Sequence, residues 1–157
     1  MELPEDHPDT VDLFIQYLCG KECELPICEA DSLFQYYMAC VKLLIFANRY
    51  DVQSLKRYIL GQLIRNAVRK PRLPVPPQKA VRYVYDNTSS KSDIRKFFAD
   101  WYVRRVERDW FQQQAIQDWL LENPEFAVDL ISTFARVTTH PHTPPFGEGS
   151  TQDYLDG

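Results

Sequence analysis

The segment Pro71-Arg72-Leu73-Pro74-Val75-Pro76-Pro77 constrains this chain more than any other, because four of its seven residues are prolines. Proline lacks a backbone N–H and fixes φ, so such a run supports neither a helix interior nor a central strand. It predicts an extended connector between two groups of elements, with Pro77 placed to start a short helix that ends at Asp86-Asn87. On both sides of it the apolar residues recur at intervals of three and four, and no convincing run alternates with period two. An all-α chain with few or no strands follows, and no internal repeat is present.

Ahead of the connector, Pro8 suits a first helical position, and Asp9 and Asp12 favour the positive end of a helix. Val11, Phe14, Ile15 and Leu18 form one apolar stripe, and Gly20 ends the element, so the first helix is predicted over Pro8–Leu18. Residues 21–29 contain Pro26 and no helical period, which reads as a loop or one short strand. Asp31 is a cap for the next helix, which runs to Asn48 and is apolar almost all round through Leu33, Phe34, Tyr37, Cys40, Val41, Leu44, Ile45 and Ala47. Asp51 is a second cap, leading a helix with Val52, Leu55, Ile59, Leu63 and Ala67 on one side and Lys56, Arg57, Gln62 and Arg65 on the other.

Beyond the connector, Ser90 with Asp93 has the spacing of a capping box, and Ile94, Phe97, Phe98, Trp101 and Tyr102 recur on a single helix face. At helical spacing such aromatics are read as core and not as a base-stacking platform. A further helical segment carries Trp110, Phe111, Ile116, Trp119 and Leu120. Asn123-Pro124 supplies a cap and a first-position proline for a last helix bearing Phe126, Leu130, Ile131, Phe134 and Val137. After Thr138 the composition turns to Thr, His, Pro, Gly and Asp, which predicts a disordered tail over residues 139–157. The predicted organisation is thus residues 1–70, a connector at 71–77, a helical extension at 78–138 and the tail.

Little in the sequence carries catalytic chemistry. A formal net charge of -4 leaves phosphate attraction to a local patch, so nucleic acid is a poor partner class. The two basic groupings, Arg65 to Lys70 with Arg72 and Arg104-Arg105 with Arg108, read as a helix C-terminus and a solvated helix side. No Gly-rich phosphate loop is present among five glycines. His7, His140 and His142 stand apart from any nucleophile by sequence, so no catalytic residue is assigned. Cys19, Cys23, Cys28 and Cys40 read as reduced thiols, since Cys19-x3-Cys23 gives only one pair at metal-ligand spacing and the tail histidines are remote. No cofactor or metal ligand is predicted. The start Met1-Glu2-Leu3-Pro4-Glu5-Asp6 lacks the features of a signal peptide and no run is long enough to span a bilayer, which predicts an intracellular, cytoplasmic or nuclear protein without membrane partners.

Three stretches together resemble a known family. Leu3-Pro4-Glu5-Asp6-His7-Pro8 with Val11-Asp12-Leu13-Phe14-Ile15-Gln16-Tyr17-Leu18-Cys19-Gly20-Lys21 looks like the helix of BTB/POZ domains that ends in a tyrosine-threonine-glycine turn. Leu43-Leu44-Ile45-Phe46-Ala47-Asn48-Arg49-Tyr50-Asp51-Val52-Gln53-Ser54-Leu55-Lys56 resembles the paired closing helices of that family. Val81-Arg82-Tyr83-Val84-Tyr85-Asp86-Asn87-Thr88, followed by Ile94-Arg95-Lys96-Phe97-Phe98, is similar to the helical extension of many fungal members. The likeness spans residues 3–137 and starts midway through the family's domain, so residues 1–70 correspond to its C-terminal half.

The resemblance implies a non-catalytic protein–protein interaction module, a scaffold or adaptor. The strands and first helices that carry the family's usual dimer surface have no counterpart here, so a family-type homodimer is not implied. Some members recruit cullin-type ubiquitin ligases through a hydrophobic-x-glutamate pattern where this chain has Thr10-Val11-Asp12, two of three positions departing from it. A cullin-ligase adaptor is therefore the first alternative, with a truncated domain lacking an independent role or an unrecognised enzyme behind it. The partner surface expected from an absent half-domain is the apolar set Val11, Phe14, Leu18, Leu44 and Ile45.

Overall fold

The computed structural model describes residues 7–26, 30–69 and 75–139. Cys28, most of the connector, His140, His142 and residues 140–157 lie outside these. The architecture is all-α: α1 (Pro8–Leu18), α2 (Leu33–Arg49), α3 (Gln53–Arg69), α4 (Gln78–Asn87), α5 (Asp93–Arg105), α6 (Gln114–Glu122) and α7 (Pro124–Thr139), with short 3-10 turns at Ala30–Ser32 and Arg108–Gln112. No strand occurs among the described residues, and none of their helices is long and apolar enough to cross a membrane. The chain divides into two compact units, Met1–Pro71 and Arg72–Gly157.

In the first unit α2 is the central element, with Tyr36, Tyr37, Cys40, Val41, Leu43, Leu44, Ile45, Phe46 and Ala47 all buried between α1 and α3. Leu55, Ile59, Leu60, Leu63 and Ala67 supply the facing side of α3. Lys56, expected on the polar face, is only 3% exposed, because it sits one turn before Leu60 on the buried arc. The amide of Asn66 donates to the Tyr36 hydroxyl at 2.6 Å and ties α3 to α2.

The predicted caps of this unit are displaced. Ser32, not Asp31, precedes α2, and Asp31 belongs to the 3-10 turn. Asp51 has φ of 54°, the left-handed region that a short polar side chain tolerates, and so forms the reversal between α2 and α3 and not an extended N-cap. Its carboxylate accepts from the Gln53 side chain at 2.7 Å, and the Val52 N–H closes the corner on the Ala47 carbonyl at 2.8 Å.

The second unit is built on α5. Ile94, Phe97, Phe98 and Trp101 are 0% exposed and Tyr102 is 1% exposed, and α7 covers them with Phe126 and Leu130. The cap is Ser92, whose Oγ accepts from the Ile94 N–H at 3.3 Å, two residues later than the expected Ser90. Arg104 and Arg105, expected on a solvated side, are half-buried. Ile131, one of the apolar residues of the last helix, is 69% exposed, because α7 turns Phe126, Leu130 and Thr133 inward and Ile131 falls on the opposite side.

The expected helix through Trp110 and Trp119 is broken at Gln113, where extended backbone separates the 3-10 turn from α6. The break lets Trp110 and Trp119 approach Tyr102 from two directions, with ring centroids 5.5 and 6.2 Å away, while Phe126 packs edge-on at 5.1 Å. The Tyr102 hydroxyl donates to the Pro76 carbonyl, an acceptor in the connector that can enter no helix ladder.

Burial holds the Tyr102 phenol well above its ordinary value. The Tyr85 phenol is raised first by burial and then by its hydrogen bond to the Asp129 carboxylate at 2.5 Å. A folded-state value raised above the unfolded one means the native state holds its proton longer, so stability is full below the unfolded value and falls as pH rises past it. Urea denaturation should therefore give a constant midpoint from neutral pH up to the ordinary phenol value of 10.0 and a falling one above it. Tyrosinate absorbance followed alongside should show part of the phenols ionising only as the unit unfolds.

Candidate functional site

Helix α1 presents three different sides, and the site grows from that. Toward the core it sends Thr10, which is 4% exposed, Phe14, whose ring lies 4.9 Å from Phe46, and Tyr17, 5.6 Å from Tyr58. Its C-terminus closes by the Lys21 N–H bonding the Gln16 carbonyl and the Gly20 N–H bonding the Tyr17 carbonyl, each at 3.0 Å. This is a Schellman arrangement, and it needs the left-handed φ of 70° that Gly20 supplies.

The turn brings residues 21–26 back alongside α1. The Glu24 N–H donates to the Gln16 side-chain oxygen at 2.8 Å, and the buried Cys23 thiol points to the Leu13 carbonyl at 3.5 Å. Between this returning segment, α1 and α2 lies a cleft of about 570 Å³. Leu13, Pro26, Phe34, Met38 and Ala39 give it apolar walls, and the carboxylates of Asp9, Asp12 and Glu24 are exposed around it. Lys42, half-buried, is the cation among the lining residues.

The predicted partner surface is divided by the fold. Leu44 and Ile45 are 0% and 5% exposed, so they belong to the core and cannot face a partner while the unit is folded. They are covered because α1 and α3 flank α2 within the unit itself. Val11 and Phe14 are half-buried, and Leu18 is 64% exposed beside the half-exposed Ile15 on the side of α1 away from the cleft. The cleft itself was not foreseen. Its signal in the sequence is the pair Asp9 and Asp12 one turn apart, followed by Leu13 and Gln16 on the same side of the helix.

Of the predicted thiols, Cys19 and Cys23 are free, Cys19 exposed and Cys23 buried, and Cys40 is buried in the core of the first unit. Among the described residues no group of three or more His, Cys, Asp or Glu side chains could hold a metal ion. Burial pushes the Cys23 thiol above its ordinary value. A thiol reagent applied to the native chain should react with Cys19 at once, with Cys23 and Cys40 released only by denaturant. Raising the pH past 9.0 should still leave Cys23 protonated and slow in the folded chain, which mass mapping of the labelled peptides would check.

In the second unit two buried charges, Arg95 and Asp100, are already engaged with neighbours. Arg95, 5% exposed, donates to Thr88 Oγ1 at 3.1 Å, the Tyr85 carbonyl at 2.7 Å, the Thr88 carbonyl and the Glu125 carboxylate. Asp100, 2% exposed, is paired with Arg136. These read as structural fastenings that bind α4 and α7 to α5, and two hollows beside them, about 200 Å³ at Tyr85 and about 230 Å³ at Ser92, are smaller than the cleft beside α1. No protein-family model, no curated protein and no solved structure matches this chain.

Proposed function

We propose that the chain is a non-catalytic protein-interaction module that seats a short basic, amphipathic segment of another protein in the cleft beside α1. The observation that carries the reading is the combination in one cleft of apolar walls and three exposed carboxylates, Asp9, Asp12 and Glu24. An apolar side chain of the partner would take its affinity from burial against Leu13 and Met38, at about 25 cal/mol per Å² removed from water. Lysine or arginine on either side of that anchor would meet the carboxylates, which adds specificity and speeds encounter more than it adds affinity. The negative net charge of the chain works in the same direction.

A BTB/POZ-like character for the first unit is part of this proposal. What supports it is the helix pair α2 and α3 meeting at the corner Tyr50-Asp51, where the sequence resembles the paired closing helices of that family.

The test is a titration of fluorescent peptides in which one leucine or phenylalanine is flanked by arginines, against the same peptides flanked by glutamates. The basic series should bind and the acidic series should not. Asp12→Lys and Met38→Glu should each weaken binding by about tenfold or more, equivalent to about 1.4 kcal/mol, with an unchanged circular dichroism spectrum. Equal binding of both series, or full binding by Met38→Glu, would overturn the proposal.

A further inference from the structure

Helix α7 carries a second apolar side that its own unit leaves uncovered. Val128 is 59% and Ile131 69% exposed, and Ala135 is exposed one turn further on. Pro124, Val128, Ile131, Ala135 and Thr138 follow one another at intervals of four, three, four and three, the spacing of a helix–helix seam. The inward side of the same helix is already occupied by Phe126, Leu130 and Thr133. A helix with one apolar side in the core and another in water is unusual unless something packs on the second.

We infer that this side pairs with the α7 of a second copy of the chain, antiparallel and about a two-fold axis near Ile131. Three features single out that occupant. A two-fold interface must be self-complementary, and antiparallel pairing about Ile131 sets Ile131 against itself and the larger Val128 against the smaller Ala135 of the other copy. The charges agree as well: Glu125 near the start of α7 and Arg136 near its end share one flank of the seam, and antiparallel pairing brings the same flanks together. Each would meet the opposite charge across the axis, and with 68% and 43% side-chain exposure both can do so while keeping their partners within the unit, Arg95 and Asp100. Antiparallel helices also oppose their macrodipoles favourably. A parallel pairing about a two-fold axis would instead put the Glu125–Arg136 flanks of the two copies on opposite faces, where neither charge meets its opposite.

The pairing is independent of the cleft proposed above, which lies in the other unit. Light scattering behind size-exclusion chromatography should report a concentration-dependent dimer. Ile131→Glu, which buries a charge only if the seam forms, should shift the equilibrium to monomer by about a hundredfold or more, with the circular dichroism spectrum retained. Orientation is read by cross-linking in a Cys19→Ser background with a short bismaleimide. Ile131→Cys should link to itself, and a mixture of Val128→Cys and Ala135→Cys chains should link more efficiently than either alone. A monomer at all concentrations, a dimer that survives Ile131→Glu, or Val128→Cys linking to itself as efficiently as Ile131→Cys would each overturn the inference.

Discussion

Replacing Trp101 with alanine should destabilise the second unit by about 3 to 5 kcal/mol, the range for removing a large aromatic side chain from a close-packed interior. The side chain is fully buried at 0% exposure and stacks edge-to-face with Phe97 at 5.5 Å. Two costs combine: the transfer of the indole surface to water in the unfolded state, and the cavity left where the neighbours cannot close in. Trp101→Phe should cost less than half as much, because a ring remains to fill part of the space. The measurement is urea denaturation followed by circular dichroism and by the fluorescence of Trp110 and Trp119, both in the same unit. A loss below about 1 kcal/mol for Trp101→Ala would mean that the α5 aromatics are surface residues of the unit after all.

Why the sequence disclosed some of this and not the rest comes down to which signals are local. The limits of α1 were legible because Pro8, the Val11–Leu18 stripe and Gly20 act within a single helix. The all-α character was legible for the same reason, since apolar spacing reports secondary structure directly. Caps were less so. Ser90, Ser92 and Asp93 offer rival hydroxyls and carboxylates within four residues, and only the path of the chain decides that Ser92 is the one with extended backbone next to the helix. Ile131 and Leu44 show the deeper limit. Both are apolar residues at helical spacing, yet one is exposed and the other is fully buried, because burial depends on which neighbour arrives and from which side. Arg95 is hidden for a related reason: next to Lys96 it looks like one of a short exposed basic pair on a helix, and its role becomes visible only when α4 and α7 converge on it.

Arg95→Ala should come close to the effect of losing Trp101, at about 3 to 5 kcal/mol, the range for breaking a buried charge network by removing one partner. Its guanidinium accounts for the carbonyls of Tyr85 and Thr88 at the C-terminal end of α4, where a cation also complements the helix dipole. It lies 4.4 Å from the centre of the Tyr85 ring, and the Tyr85 hydroxyl in turn donates to Asp129 on α7. Removing it takes this donor from the part-buried carbonyls of Tyr85 and Thr88, each loss costing up to about 1 to 3 kcal/mol, and frees the end of α4. The Glu125 arm contributes least, since that carboxylate is 68% exposed and can return to water. Glu125→Gln should accordingly cost at most about 1 kcal/mol. Arg95→Lys then becomes the deciding variant: it keeps the charge but lacks the planar fork that reaches Thr88, Tyr85 and Glu125 together, so it should recover less than half of the loss. Full recovery by lysine would show that net charge at the α4 terminus, and not the forked geometry, holds α4 to α5. A neutral result for Arg95→Ala would remove the network from the folding of the unit altogether.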